Sequence, residues 1–297
     1  MDPVQTTTPT SPPDARLVEA YLRRLGVEYP AWPTADVLRE LHLRHLRTVP
    51  FENLSVHLGE DIVLEETRLV EKVATRGRGG FCYELNGAFG ALLTALGFDV
   101  TLLAGRVYGD GGRLGIPYDH LALLVRTVDA GEWLADVGFG AHSHYPLRFG
   151  HRGRQDDPGG VFRVMEARAD EAGAKGGAGR PAREDGVAGA VDLDVVRDDR
   201  RAYRLEVRPR VLADFVAGAW WHSTSPESHF TRSSVCSRVT EDGGRITLSG
   251  RRLKVTDPHG VSEERELTGD QEVLDVYREQ FGIEMERVPV VRGDGAD

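Results

Sequence analysis

A change of period at Gly97 constrains this chain more than any other feature. Before it, apolar residues recur at helical spacing; after it, they come in short runs bounded by Gly, Asp and Pro. Leu17, Val18, Tyr21, Leu22 and Leu25 share one face of a helix that Asp14 can cap and Gly26 ends. Pro33-Thr34 opens a second helix carrying Val37, Leu38, Leu41 and Leu46, and Thr67 is expected to cap a third that runs to Ala74. From Cys82, the spacing of Leu85, Phe89, Leu92, Leu93 and Leu96 predicts a helix with one buried stripe, stopped by Gly97.

Strand-like runs then follow over 98–107, 120–127, 132–137, 161–165, 191–196 and 203–207. A short amphipathic segment covers 211–217. Runs at 245–248 and 252–256 flank Ser249-Gly250 as a hairpin. A last helix is expected from Thr268, with Gln271 completing a capping box and Val273, Leu274, Tyr277 and Phe281 on its buried face, up to Gly282. Helices and strands are segregated rather than alternating. That pattern argues against a doubly wound parallel sheet and for an α+β architecture.

Composition narrows the function classes. The chain has 297 residues, enough for two or three small domains, and 37 basic against 47 acidic residues give a net charge of −10. Such a chain is a poor partner for nucleic acid or an anionic membrane. Its two cysteines make no disulfide framework, which points to a reducing cytoplasm. No apolar run is long enough to span a bilayer. Residues 1–13 are Thr/Pro-rich without an apolar core; they read as a disordered tail rather than a secretory signal. Residues 169–190, rich in Gly, Ala and charge, read as a flexible insertion.

The chemistry centres on Gly79-Gly80-Phe81-Cys82-Tyr83-Glu84-Leu85-Asn86-Gly87. Cys82 falls in the first turn of its helix, where unpaired N–H groups and the positive dipole end favour a thiolate. The glycine pair allows close backbone approach and positive φ. Cys82 equally fits a small buried apolar residue, a common fate of free cysteine. His120 decides between the two. It opens the apolar strand Leu121-Ala122-Leu123-Leu124-Val125, and the following strand ends in Asp136. Paired antiparallel, the strands bring His120 and Asp136 to one end of a hairpin, where the carboxylate can orient the imidazole. Cys82, His120 and Asp136 then form a Cys-His-Asp triad. His142 and His144 have a spacing that two metal ligands could use, but no third ligand accompanies them, so no metal is expected.

At these residues the chain resembles the arylamine N-acetyltransferase family. The shared pieces are Val49-Pro50-Phe51-Glu52-Asn53-Leu54, the stretch from Arg78 to Gly87, His120-Leu121, Asp136-Val137-Gly138-Phe139-Gly140, and Thr224 to Thr231 with Cys236-Ser237. The resemblance implies a helical bundle (14–97), a central β-barrel (98–210) and a C-terminal mixed α/β lid (211–297), with a cysteine-protease-like triad carried over to Cys82, His120 and Asp136. It implies acetyl transfer from acetyl-CoA to an aromatic amine or hydrazine by a ping-pong route. Phe51 and Phe139 are candidates for the acceptor wall, with core packing as the alternative. Trp221, Thr224 and Ser225 are candidate CoA contacts, with interdomain packing beside them. Glu52 and Asn53 are expected to tie the helical block to the Cys82 loop; Arg78 does the same or meets CoA phosphates. Cys236 reads as a buried apolar residue. The same triad would serve a macrolactam-closing amide synthase of that family or a papain-like hydrolase, and a non-catalytic binding module would need Cys82 inert. Oligomeric state is not legible.

Overall fold

The computed structural model describes residues 12–167 and 191–291. The tail expected over 1–13 falls mostly, and the insertion at 169–190 wholly, outside the described residues. The N-terminal block holds helices α1 (Ala15–Leu25), α2 (Ala35–Thr48), α3 (Leu54–Leu58), α4 (Glu66–Ala74) and α5 (Cys82–Ala95), with the two-residue strand β1 (Phe51–Glu52) between α2 and α3. Asp14 caps α1 by accepting from Leu17 N–H at 2.9 Å, and Gly26 ends it at φ 68°. Thr34 caps α2. Helix α4 starts two residues earlier than expected: Glu65 takes the cap position, and Thr67 lies inside the first turn.

Helix α5 departs most from its sequence pattern. Every residue from Cys82 to Leu93 is buried, not one stripe. It runs through the middle of the molecule, with α4 on one side and the outer face of the central sheet on another. Its small residues, Gly87, Ala88, Gly90 and Ala91, permit that approach; a Cβ on Gly87 would come within 2.6 Å of Leu69. Gly97 at φ 89° closes the helix, with Phe98 N–H bonding Leu93 O and Gly97 N–H bonding Thr94 O. Burial of Leu85, Phe89, Leu92 and Leu93 contributes about 1.5–3 kcal/mol each.

The central sheet is antiparallel and eight-stranded, in the order β5-β4-β3-β2-β9-β8-β7-β6, and curls into a nearly closed barrel. Its strands are β2 (Asp99–Val107), β3 (His120–Thr127), β4 (Gly131–Ala135), β5 (Leu147–Arg148), β6 (Gln155–Asp157), β7 (Gly160–Glu166), β8 (Leu193–Arg197) and β9 (Arg200–Arg210). The Gln155 side chain bridges its two edges: Oε1 accepts from Arg148 N–H at 2.7 Å and Nε2 donates to Arg148 O at 3.2 Å. Strand β3 reads as one apolar run because both faces are covered. Leu121, Leu123 and Val125 join the core around α5, while Ala122 and Leu124 join the barrel core with Phe162, Val195 and Leu205.

A second sheet, β1-β10-β11-β12-β13, forms with β10 (Val235–Val239), β11 (Arg245–Ser249), β12 (Arg252–Thr256) and β13 (Ser262–Glu266). The expected hairpin is present, with Ser249 opposite Arg252. Strand β1 belongs to the helical block in sequence and to this sheet in space, pairing Phe51 with Ser237 and Glu52 with Cys236. Helices α6 (Val216–Thr224) and α7 (His229–Arg232) precede the sheet, and α8 (Asp270–Phe281) packs on it. Helix α8 begins after Gly269, two residues beyond Thr268. Glu272, not Gln271, reaches back to accept the Thr268 N–H at 3.0 Å. Val276 joins Val273, Tyr277 and Phe281 in its buried face, while Leu274 is half-buried. No helix among the described residues is long and apolar enough to cross a membrane.

Candidate active site

The Cys82 loop is built by a buried carboxylate. Glu52, fully buried, accepts from Gly79 N–H at 3.2 Å and Arg78 Nε at 3.0 Å, while its own N–H donates to Gly80 O at 2.9 Å. Burial would raise the Glu52 carboxyl, but the Arg78 charge, helped by Lys72, outweighs it and holds the group below its ordinary value. Arg78 also pairs with Glu60 and is thereby committed to the fold. Asn53 binds elsewhere than expected: it donates to Phe230 O and Ser233 O and accepts from Val235 N–H, so it ties the C-terminal segment. The glycine pair is required by close approach and not by positive φ. A Cβ on Gly79 would stand 1.8 Å from Pro50 O, and one on Gly80 2.6 Å from Glu84. Glu84 reaches back to the Phe81 N–H at 3.2 Å and bonds Lys72 at 2.6 Å.

Cys82 is therefore the first residue of α5, buried, with its thiol beside the His120 imidazole and 3.9 Å from the Asp119 carbonyl oxygen. His120 Nε2 donates to Asp136 Oδ2 at 2.8 Å. Burial alone would lower the His120 pKa. The Asp136 charge and hydrogen bond, with the Cys82 contact, more than offset it and raise the ring to about 10. Conversely, burial would raise Asp136, and the His120 charge and bond hold it well below the usual carboxylate range. The arrangement is a histidine held by a carboxylate, with the cysteine sulfur beside it.

Asp136 lies just past the end of β4 and needs support, which comes from two residues without a role in the sequence reading. Asn86 Nδ2 donates to Asp136 Oδ1 at 2.9 Å and to Leu121 O at 2.6 Å, and its Oδ1 accepts from Val137 N–H at 3.0 Å. Asn86 is four residues after Cys82, so one face of α5 carries both the thiol and the brace for Asp136. That spacing was the available signal. His42 Nε2 accepts from Asp136 N–H at 3.2 Å while Nδ1 donates to His144 O at 2.9 Å. Burial pushes His42 down to about 4, which keeps it neutral and able to accept. Gly138 closes the arrangement: a Cβ there would lie 2.8 Å from Cys82 Cα.

The site opens on a cavity of about 560 Å³ lined by Cys82, His120, Phe51, Phe139, Phe230 and His222, among others. That volume suits a small organic ligand. Phe139 stands edge-on to His120, ring centroids 5.2 Å apart. Trp221, Thr224 and Ser225 do not line this cavity. Thr224 is exposed at the end of α6, its hydroxyl donating to Trp220 O. His142 is packed among Phe139, Phe162 and Tyr203, and burial lowers it to about 4. Cys236 is fully buried in β10.

A sequence profile of the N-acetyltransferase family matches residues 34–290, spanning the helical block, the barrel and the C-terminal sheet. The chain belongs to the arylamine N-acetyltransferase family. It is an acyltransferase by that membership. Relatives within the family include the arylamine N-acetyltransferase / N-hydroxyarylamine O-acetyltransferase of Salmonella typhimurium, 32% identical over 90% of this chain and 88% of that protein. The arylamine N-acetyltransferase of Escherichia coli is 31% identical over 90% of this chain and 89% of its own. Among solved structures, the Salmonella typhimurium enzyme superposes with a TM-score of 0.77 at 31% identity, covering 91% of this chain and 92% of that one. The Mycobacterium marinum enzyme in complex with CoA superposes with a TM-score of 0.74 at 30% identity, covering 90% and 92%.

Proposed function

We propose that this chain moves an acetyl group from acetyl-CoA to the nitrogen of an arylamine or arylhydrazine, in ping-pong order through an acetyl-Cys82 intermediate. The observation that carries this reading is the His120 imidazole, bonded to Asp136 at 2.8 Å and set beside the Cys82 thiol at the wall of an apolar cavity. The names of the relatives supply the acetyl group and the arylamine, and the CoA complex of the Mycobacterium marinum relative supports CoA as the donor's carrier.

In the first half-reaction the Cys82 sulfur attacks the thioester carbonyl carbon. The developing oxyanion is met by the Cys82 N–H, which at the first position of α5 has no intrahelical acceptor. The carbon–sulfur bond to CoA breaks, and CoA leaves with the proton from His120. In the second, an uncharged arylamine enters the apolar cavity against Phe51 and Phe139, and its nitrogen attacks the acetyl-cysteine. His120 takes the amine proton as the carbon–sulfur bond to Cys82 breaks, which restores the thiolate. Asp136 holds the ring's orientation through both steps. Trp221, Thr224 and Ser225 would meet the part of CoA that remains outside the cavity.

Rapid quench of the enzyme with acetyl-CoA and no amine, read by mass spectrometry, tests the covalent step. A single acetyl group on the peptide containing Cys82, discharged on adding an arylamine, is the expected result. Product formed at full rate with no acetylated Cys82 at any time would sink it. A panel of arylamines and hydrazines, run against acetyl-CoA and longer acyl thioesters, tests the assignment of donor and acceptor.

A further inference from the structure

A second histidine–aspartate pair borders the same cavity. Asp119 immediately precedes His120. Its Oδ1 accepts from His222 Nε2 at 2.9 Å, and its Oδ2 accepts from Val107 N–H at 3.1 Å. His222 comes from α6, far along the chain. Its Nδ1 lies 3.3 Å from Ser228 Oγ, which itself donates to His222 O at 2.9 Å. The Ser228 hydroxyl thus reaches both the ring and the backbone carbonyl of His222. The ring is packed against Tyr83 and Phe230, with centroids 6.1 and 5.2 Å away.

The turn held by this pair is one the backbone would not keep unaided. Tyr118 sits at φ 58° directly after Pro117. A positive φ after proline is the third position of a type II turn, where glycine is usual and a bulky side chain is strained. Tyr83 Oη donates to Tyr118 O at 2.7 Å, and the Val107 and Asn86 bonds hold the residues that follow. His222 adds the tie from α6. What the turn delivers is the site itself: the Asp119 carbonyl oxygen lies 3.9 Å from Cys82 Sγ, and the next residue is His120.

We infer that Asp119 and His222 are a positioning pair, which pins the 118–120 turn so that His120 stays between Cys82 and Asp136. This assignment rests on the acetyl-Cys82 reading. The pair acts through the turn, so its loss slows acyl transfer more than it weakens donor binding, even though both side chains border the cavity.

Two amide substitutions that differ by one methylene test it. In His222→Gln the amide can stand where Nε2 stood and bond Asp119; in His222→Asn it stops near Nδ1 and cannot. His222→Asn is expected to slow Cys82 acetylation at saturating acetyl-CoA by about tenfold or more, with KM for acetyl-CoA changed less than about threefold and His222→Gln recovering most of the lost rate, as a small misplacement of reacting groups would produce. Alkylation of Cys82 by iodoacetamide at pH 6 should slow in parallel, and it needs no acyl donor. Failure of wild type to form acetyl-Cys82 sinks the underlying reading. Wild type that acetylates normally, with the Asn and Gln variants equally fast, overturns the positioning role. So does an equal loss in both that follows their Tm, which marks a purely structural pair. His222→Phe, which keeps the ring packing, replaces the asparagine variant if that one does not fold; a folded His222→Phe acetylating at the wild-type rate overturns the role too.

Discussion

The two cysteines of this chain are both buried and both free, yet their surroundings make them different chemical groups. Cys82 begins a helix, touches an imidazole raised to about 10, and faces a cavity. Cys236 lies mid-strand in β10 with no exposure. Burial pushes its thiol well above the ordinary value, the Glu52 carboxylate adds to that, and Arg78 and Arg238 offset only part. Depth alone therefore says nothing about reactivity. What separates the two is whether a positive partner and an opening accompany the sulfur.

The widest gap should come from replacing each sulfur. Cys82→Ser is expected to lose about four orders of magnitude or more in acetyl transfer, since a hydroxyl has no comparable anion to offer. Cys236→Ser should keep turnover near wild type, and steady-state rates of the two variants decide it. Asp136→Asn comes next, with a loss of about 10²–10⁴-fold in kcat, because the ring loses its orienting charge. Stopped-flow measurement of CoA release reads that loss.

The same variant exposes a pH effect. His120 carries its proton in the folded chain up to about 10, against an ordinary value of roughly 6.5. Its pairing with Asp136 thus contributes fully below that ordinary value and is lost as pH rises through about 10. The stability advantage of wild type over Asp136→Asn should shrink between pH 7 and pH 10, measured by urea midpoints. Iodoacetamide at pH 6 should label Cys82 about a hundredfold faster than Cys236, resolved by peptide mapping. Equal labelling would erase the distinction. The smallest effect is on stability: Cys236→Ala should cost about 1–2 kcal/mol through the small void it leaves, with activity unchanged.

How far this was legible depends on sequence distance. The start of α5 at Cys82 and the span of β3 follow from local period, and the His120–Asp136 contact follows from two adjacent strands. Total burial of α5 does not follow, because half of what covers it is a sheet formed later in the chain. Gly79 and Gly80 read as allowing close approach and positive φ; what actually approaches them, Pro50 O and the Glu84 side chain, appears only in space. His222 meets Asp119 across 103 residues, and no spacing rule reaches that far. The family motifs compensated for part of this, since they marked Asp136 and Phe139 together with Cys82.

Strand β1 has a consequence for biosynthesis. Glu52 builds the Cys82 loop from a strand whose partner is β10, and the neighbouring Asn53 is bonded to Val235, 182 residues downstream. At ribosomal speeds of about 5–20 residues per second, roughly 10–40 s separate the emergence of those two segments. The nascent chain thus carries its thiol for most of that interval without the strand pairing that anchors the loop, and the reactive geometry is completed only when the late sheet closes over it.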